Sequence, residues 1–325
     1  MISAQIAYEH WHRYFYAGEY VQGKKVLDIA SGEGYGSYYL SRSAESVMGV
    51  DISKDAVTHA QGTYTNKNLE YREGSVDAIP VEGNGVFDVI VSFETIEHID
   101  EKTQHAFMKE VQRLLKSTGV LIISTPNKHL YSDVPGSHNE FHIKEFQRDE
   151  FSAFLKGSFK HVEFLGQKIF GASFVWPLEE KKKTSFSAYK IEATDTGFVQ
   201  TNQALEELYV VAVCSNTELD THDDSSLLID IDERFLKEKD ELIAHFRQHN
   251  DQTHEQLSHV ITAHEKEIQA LLQQKQMAEE EQRRLAEQIH YKDEEIQSIH
   301  SSWSWKLSSP LRILGTFVRN RNKKS

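Results

Sequence analysis

The sequence predicts a doubly wound α/β domain followed by a long helical segment, and three observations carry that expectation. Short apolar runs alternate with helix-like segments between residues 25 and 92, the rhythm of parallel βαβ units. A glycine-rich turn follows the first run, in VLDIASGEGYG from Val26 to Gly36. From about residue 220 to 302 the composition shifts to Glu, Gln, Lys and His, which cannot bury a large core.

The runs KVLDIA, SVMGVDI, LEYREG and FDVIVSF read as the first four strands, with helices over residues 36–43 and 53–64 between them. A further helix is expected over residues 104–115, where Phe107, Val111, Leu114 and Leu115 recur at helical spacing. Gly119 should end it, and VLIIST then begins a fifth strand. Residues 159–166 and 208–214 complete the sheet as its last two strands. The polar insertion between them, residues 171–203, is a candidate substrate cover. Ahead of the sheet, Tyr8, His10, Trp11, Tyr14, Phe15 and Tyr16 read as a packed amphipathic helix rather than a lid over a pocket.

Alternate steps of four and three from Leu257 pass through Ile261, Ile268, Leu271, Ala278, Leu285, Ile289, Ile296, Ile299 and Trp303, broken at His264, Lys275, Gln282 and Lys292. This is a flawed but sustained coiled-coil seam, and a single helix cannot bury it. Homo-oligomerisation, or packing against another protein, is expected. The domain organisation is therefore residues 1–218 for the α/β domain, 219–302 for the coiled coil and 303–325 for a basic aromatic tail.

With 36 basic against 50 acidic residues, the net charge of −14 argues against nucleic acid as a partner. Six of the basic residues, and no acid, fall between Trp303 and Ser325, pointing to an anionic surface or partner at that end. The single cysteine, Cys214, excludes an intramolecular disulfide and a cysteine-based zinc site, and fits a reducing cytoplasm. The N-terminus lacks the apolar core of a signal peptide, and no run approaches the roughly 20 apolar residues that span a bilayer. A soluble or peripherally attached protein is expected.

The strand ending at Asp28 runs into Ser31-Gly32-Glu33-Gly34-Tyr35-Gly36, where glycines let backbone approach a ligand and the following helix points free N–H groups at it. By itself such a turn opens any nucleotide site. Asp51, ending the next strand about 20 residues on, could grip ribose hydroxyls through its carboxylate, or cap the helix beginning near Ser53.

The runs DIASGEGYG, GVDIS, FDVIVSFETIEHI and RLLKSTGVLIISTPN together resemble the class I S-adenosylmethionine-dependent methyltransferase family over roughly the first 215 residues. The third glycine follows sooner than in the G-x-G-x-x-G of dinucleotide dehydrogenases. The resemblance implies a Rossmann-like sheet with S-adenosyl-L-methionine as cofactor. It places Asp28, Ser31, Gly32 and Gly34 around the methionine part, Asp51 at the ribose, and Phe93 and Glu94 at the methyl-donor end. The loop from Gly74 to Pro80 resembles the family's adenine loop, with Ser75 where an acid is usual. The adenine contact is left open between Ser75, a backbone N–H near Val76, and Asp77.

Methyl transfer to a hydroxyl needs alignment and a proton acceptor, for which histidine suits neutral pH. His98, directly after Glu97 at the end of the fourth strand, is one candidate, its alternative being a purely structural role in orienting the loop. After the fifth strand come Thr125, Pro126, Asn127, Tyr131, His138, Asn139, His142 and Glu145, a set suited to acceptor recognition, with His138 and His142 as rival bases. The spacing H-N-E-F-H is not diagnostic of a metal, and none is expected.

The segment from Ser304 to Arg312, SWKLSSPLR, is similar to a tail of bacterial glycosyltransferases and methyltransferases of surface-polysaccharide assembly. That resemblance implies a glycan or lipid-linked glycan acceptor, methylated on a sugar hydroxyl or terminal phosphate as in O-antigen and lipopolysaccharide biosynthesis. The enzyme would be cytoplasmic, its tail touching the inner face of the cell membrane or a protein partner. The rival readings are methylation of a quinone-precursor-like small molecule, and a non-enzymatic scaffold of an assembly complex.

Overall fold

The computed structural model describes residues 4–173, 189–194, 197–219 and 225–308. It divides into two units, Met1–Glu238 and Lys239–Ser325. In the first, α1 (Ala4–Gly18) precedes β1 (Lys25–Ile29), α2 (Tyr35–Leu40), β2 (Ser46–Asp51), α3 (Lys54–Thr63), β3 (Leu69–Glu73) and β4 (Phe87–Ser92). Then follow α4 (Glu101–Leu114), β5 (Leu115–Pro126), α5 (Arg148–Lys156), β6 (His161–Gln167), the β7 (Lys190–Thr194) and β8 (Gly197–Thr201) hairpin, and β9 (Tyr209–Ser215).

Seven strands form one sheet in the order β3-β2-β1-β4-β5-β9-β6. The first five are parallel, while β9 runs antiparallel between β5 and β6. Neighbouring residues of one strand feed two cores. Leu27, Met48 and Ile90 join Phe107, Val111 and Phe151 of α4 and α5 on one face, whereas Val26, Val47 and Val89 join Tyr14, Ala17 and Leu40 of α1 and α2 on the other. Strands covered on both faces need near-continuous apolar runs, which is what KVLDI and FDVIVS supply. Strand order reverses between β1 and β4, so a crevice opens at their carboxyl ends.

All seven predicted strands of the sheet form, but the end of α4 departs from expectation. The helix stops at Leu114, and Leu115 turns extended to pair with Phe87; a register irregularity then brings Val120 opposite Val89. Capture of Leu115 by β4 ends the helix ahead of Gly119. Gly119 instead lies inside β5, where an added Cβ would stand 2.7 Å from the Leu115 side chain. Of the predicted substrate cover, residues 190–194 and 197–201 pair as β7 and β8, and residues 174–188 and 195–196 lie outside those described.

Helix α1 is packed, as the aromatic pattern suggested: Trp11 meets Tyr35 and Tyr39, and Tyr14 lies edge-on to Phe93. Gly36 makes this possible, since a Cβ there would lie 1.9 Å from the Tyr14 ring. Overpacking of this kind costs about 1–3 kcal/mol. Gly36→Ala should therefore lower the urea midpoint, whereas Gly62→Ala, at a helical position with nothing within 4 Å, should hold or raise it.

The second unit holds most of α6 (Arg234–Ser301), 68 residues with none buried. At 1.5 Å per residue the helix is about 100 Å long. It begins later than residue 219, because residues 225–233 are irregular and 220–224 fall outside the description. After Ser302, α7 (Trp303–Leu307) carries the exposed Trp303, and the rest of the basic tail, residues 309–325, lies outside the described residues. Among those described, no helix is long and apolar enough to cross a membrane.

Candidate active site

The crevice is built by three turns. After β1 the backbone passes through left-handed conformations at Ala30 (φ 57°), Gly32 (φ 54°) and Gly34 (φ 88°). Gly34 has no room for a side chain, an added Cβ falling 2.6 Å from Ala60 and 2.8 Å from the Tyr71 ring. Gly32 faces open space instead. Backbone strain of this kind in a non-glycine residue collects at ligand sites, and it recurs after β4 at Glu94 (φ 51°).

Asp51 ties the turn to α3. Its carboxylate accepts from the Gly32 N–H and the Ser53 N–H, each at 2.8 Å, while Ser53 itself caps the helix through Ala56 N–H. Two of about four acceptor positions on the carboxylate are thus occupied, and the half-buried group retains capacity for hydroxyl donors. Asp28 lies underneath, fully buried, receiving Ser37 Oγ at 2.6 Å and Tyr14 OH at 3.3 Å. It braces the turn from below rather than lining the crevice.

Burial, reinforced by the Asp51 charge, pushes the Asp28 carboxyl up to about 7 against the opposing hydrogen bonds of Ser37 and Tyr14. A carboxyl whose folded-state pKa is raised stabilises the fold fully below its unfolded value and loses that contribution as pH rises through the folded one. Relative to Asp28→Asn, the cofactor-free protein should lose on the order of 2–4 kcal/mol between about pH 4 and pH 8. Parallel urea titrations check this, and Glu97, which shifts in the same direction, cancels in the comparison.

At the other side of the crevice, Glu94 accepts Ser124 Oγ at 2.6 Å. Glu97 is wholly buried; Thr125 Oγ1 donates to its Oε2 at 3.0 Å, and its Oε1 has no hydrogen-bond partner. Burial, then the Glu94 charge, holds its carboxyl well above the usual range. His98 Nδ1 donates to the Phe141 carbonyl at 2.8 Å, which leaves Nε2 with the lone pair. His142 Nδ1 donates to Glu145 at 2.5 Å, Ser132 Oγ shares that carboxylate at 2.8 Å, and Asn139 Nδ2 donates to His142 Nε2 at 3.0 Å. The two rings meet edge to face at 4.8 Å, His98 with 39 % of its side chain exposed and His142 with 4 %.

Arg13 of α1 completes the wall. It is 3 % exposed, donates to Gln167 Oε1 at 2.7 Å, lies 3.7 Å from Glu94 Oε1 and covers the Tyr209 ring. Its Nε and Nη2 are buried without a partner, as is Ser31 Oγ across the crevice. Buried donors of this type are nearly always satisfied, so unpaired ones mark where a ligand belongs.

Residues 27–123 match the family model described as "Methyltransferase domain". The matched stretch runs from β1 into β5 and holds the glycine turn, Asp51, Glu94, Glu97 and His98. A Mycolicibacterium smegmatis protein named "Probable S-adenosylmethionine-dependent methyltransferase" is 33% identical over 43% of this chain and 53% of its own length. A "Ubiquinone biosynthesis O-methyltransferase" of Caulobacter sp. (strain K31) is 31% identical over 42% of the chain and 59% of its own. The chain thus spans about half the length of the curated relatives it matches. Among solved structures, the PH0226 protein from Pyrococcus horikoshii OT3 is 17% identical, with 66% of this chain and 92% of that one covered at a TM-score of 0.45.

S-adenosyl-L-methionine, the cofactor named for the Mycolicibacterium smegmatis relative, is a group that the residues present fit. Open space over Gly32, the spare acceptor capacity of Asp51, the unpaired Ser31 hydroxyl and the two unpaired nitrogens of Arg13, Nε and Nη2, offer contacts for its backbone-facing, ribose and carboxylate parts. At the adenine loop the Ser75 hydroxyl donates to Asp77, so neither side chain is wholly free, and Val76 packs towards the core. Phe93 is also core, 6 % exposed beneath Tyr14.

Of the predicted bases, His98 and His142 meet; His138 is exposed on the loop between them, with no hydrogen bond or ring contact to either among the described residues. The sequence spacing had grouped His138, His142 and Glu145. Folding instead commits Glu145 to His142 and Ser132, and brings Glu97, His98 and His142 together with ligand atoms within 4.8 Å of one another, a set that could hold a divalent ion. Arg13 carried no readable signal, for its partners Gln167, Glu94 and Tyr209 are remote in sequence.

Proposed function

We propose that this protein transfers the methyl group of S-adenosyl-L-methionine to a hydroxyl of a surface glycan, on a sugar or its terminal phosphate. The observation that carries the hydroxyl chemistry is the tautomer of His98: Nδ1–H donates to the Phe141 carbonyl, leaving Nε2 as a base on a partly exposed ring. When bound, the cofactor supplies a methyl on a positively charged sulfur. The chain's own task is to aim a hydroxyl oxygen in line with that carbon and to accept its proton at His98 Nε2. Tyr131 and Asn139 meet the His142 ring beside His98, and hydrogen-bonding groups of this kind suit a polyhydroxylated acceptor better than an apolar one. The SWKLSSPLR tail supports a glycan assembled at the inner face of the membrane.

The Caulobacter relative's name supports a second reading, in which the hydroxyl is the phenol of a quinone precursor. Radiolabelled methyl transfer decides between them. Incorporation into glycan extract, with none into catechols, is the expected result; the reverse pattern would replace the glycan with a phenol. No transfer to either class, together with no cofactor binding by calorimetry, would leave the scaffold reading.

A further inference from the structure

We infer that α6 pairs with α6 of a second copy as a parallel, in-register, two-stranded coiled coil. The surface is unpartnered apolar area on a helix with no buried residue: Leu257, Ile261, Ile268, Leu271, Leu285 and Ile289 are each 47–63% exposed. Written as a heptad, the stripe divides its apolar residues by position. Ile261, Ile268, Ile289 and Ile296 occupy a positions, while Leu257, Leu271 and Leu285 occupy d positions, with Ile299 the one isoleucine at d. β-Branched residues at a with leucine at d favour two parallel strands. Isoleucine at both positions would have favoured three.

Flanking charge selects the direction. Two parallel strands in register set each g residue against the e residue five positions on in the partner. Glu267, Glu281 and Glu295 then face Leu272, Ala286 and His300, while Glu265, Glu279 and Asp293 face Val260, Gln274 and Gln288. No acid meets an acid. In the antiparallel arrangement that overlaps the whole stripe, g faces g and e faces e. Glu281 and Glu279 would each face their own copies, Glu267 would face Glu295, and Glu265 would face Asp293. Like charges so placed oppose association. The two lysines that interrupt the stripe are neutralised within their own helix, Lys275 by Glu279 and Lys292 by Glu295.

The experiment uses the full chain. Light scattering after size exclusion should give twice the chain mass of 37.4 kDa. Gln282→Cys, at an a position, should form an intermolecular disulfide under mild oxidation, whereas Glu280→Cys, on the far side of the helix, should not. The native Cys214 is buried and will not compete. The double variant Leu285→Glu/Ile289→Glu should run as a monomer while binding S-adenosyl-L-methionine as before, separating loss of pairing from loss of the folded domain. A monomeric or trimeric wild type overturns the inference. So does a dimer in which Gln282→Cys fails to crosslink but Ala278→Cys mixed with Gln282→Cys succeeds, because a then faces d as antiparallel strands require.

Discussion

His98→Ala is expected to lower kcat by about 10²–10⁴-fold, the range contributed by a positioned general base, while leaving calorimetric affinity for S-adenosyl-L-methionine within about twofold. The reason is spatial. The ring follows β4 rather than the glycine turn, is held by a hydrogen bond from Nδ1 to the Phe141 carbonyl, and is 39 % exposed, with Nε2 3.9 Å from Glu97 Oε1. His142→Ala serves as the comparison. Its ring is 4% exposed and already engaged at both nitrogens, by Glu145 and Asn139. Substituting it should loosen the loop and depress thermal stability along with turnover. Near-full turnover in His98→Ala would remove Nε2 from the mechanism. Loss of wild-type activity to a chelator, restored by a divalent cation, would make that nitrogen a metal ligand with Glu97 and His142.

Arg13→Ala should weaken cofactor binding by roughly 30-fold or more, since truncating one partner of a buried, hydrogen-bonded charge pair costs about 2–5 kcal/mol. The guanidinium is enclosed by Glu94, Gln167 and the Tyr209 ring, with two nitrogens left over for an anionic group. Arg13→Lys separates fork from charge. It should keep the fold yet bind the cofactor less tightly than wild type, because an ammonium cannot reproduce the planar donor set. Unchanged affinity in both variants, measured by calorimetry, would assign Arg13 to packing alone.

The difference between these two residues is also the difference between what could and could not be read from the chain. Periodicity and turn residues act locally, so the strands, the glycine turn and Asp51 were legible from VLDIASGEGYG and GVDIS. His98 was legible for the same reason, lying beside the end of a strand. Arg13 was not, because its role depends on Gln167 of β6 and Tyr209 of β9 arriving at one place. Asp28 was placed at the cofactor on motif grounds, yet Tyr14 and Ser37 draw it under the turn. The grouping of His138 with His142 failed similarly: four residues of loop do not fix where two rings point, whereas the Glu145 carboxylate does. The heptad stripe was visible because it repeats.

The connection between β6 and β9 leaves and returns at one spot. Gln167 and Tyr209 stand opposite each other in the sheet, Leu208 N–H donates to the Gln167 carbonyl at 3.0 Å, and Asn127 N–H donates to the Leu208 carbonyl at 2.9 Å. The chain therefore leaves the sheet after Gln167 and returns to it at Leu208, its two ends clamped together beside Arg13 and Asn127. Loop-closure entropy grows only logarithmically with length. A change in the length of the connection between Gln167 and Leu208 should therefore cost the sheet little.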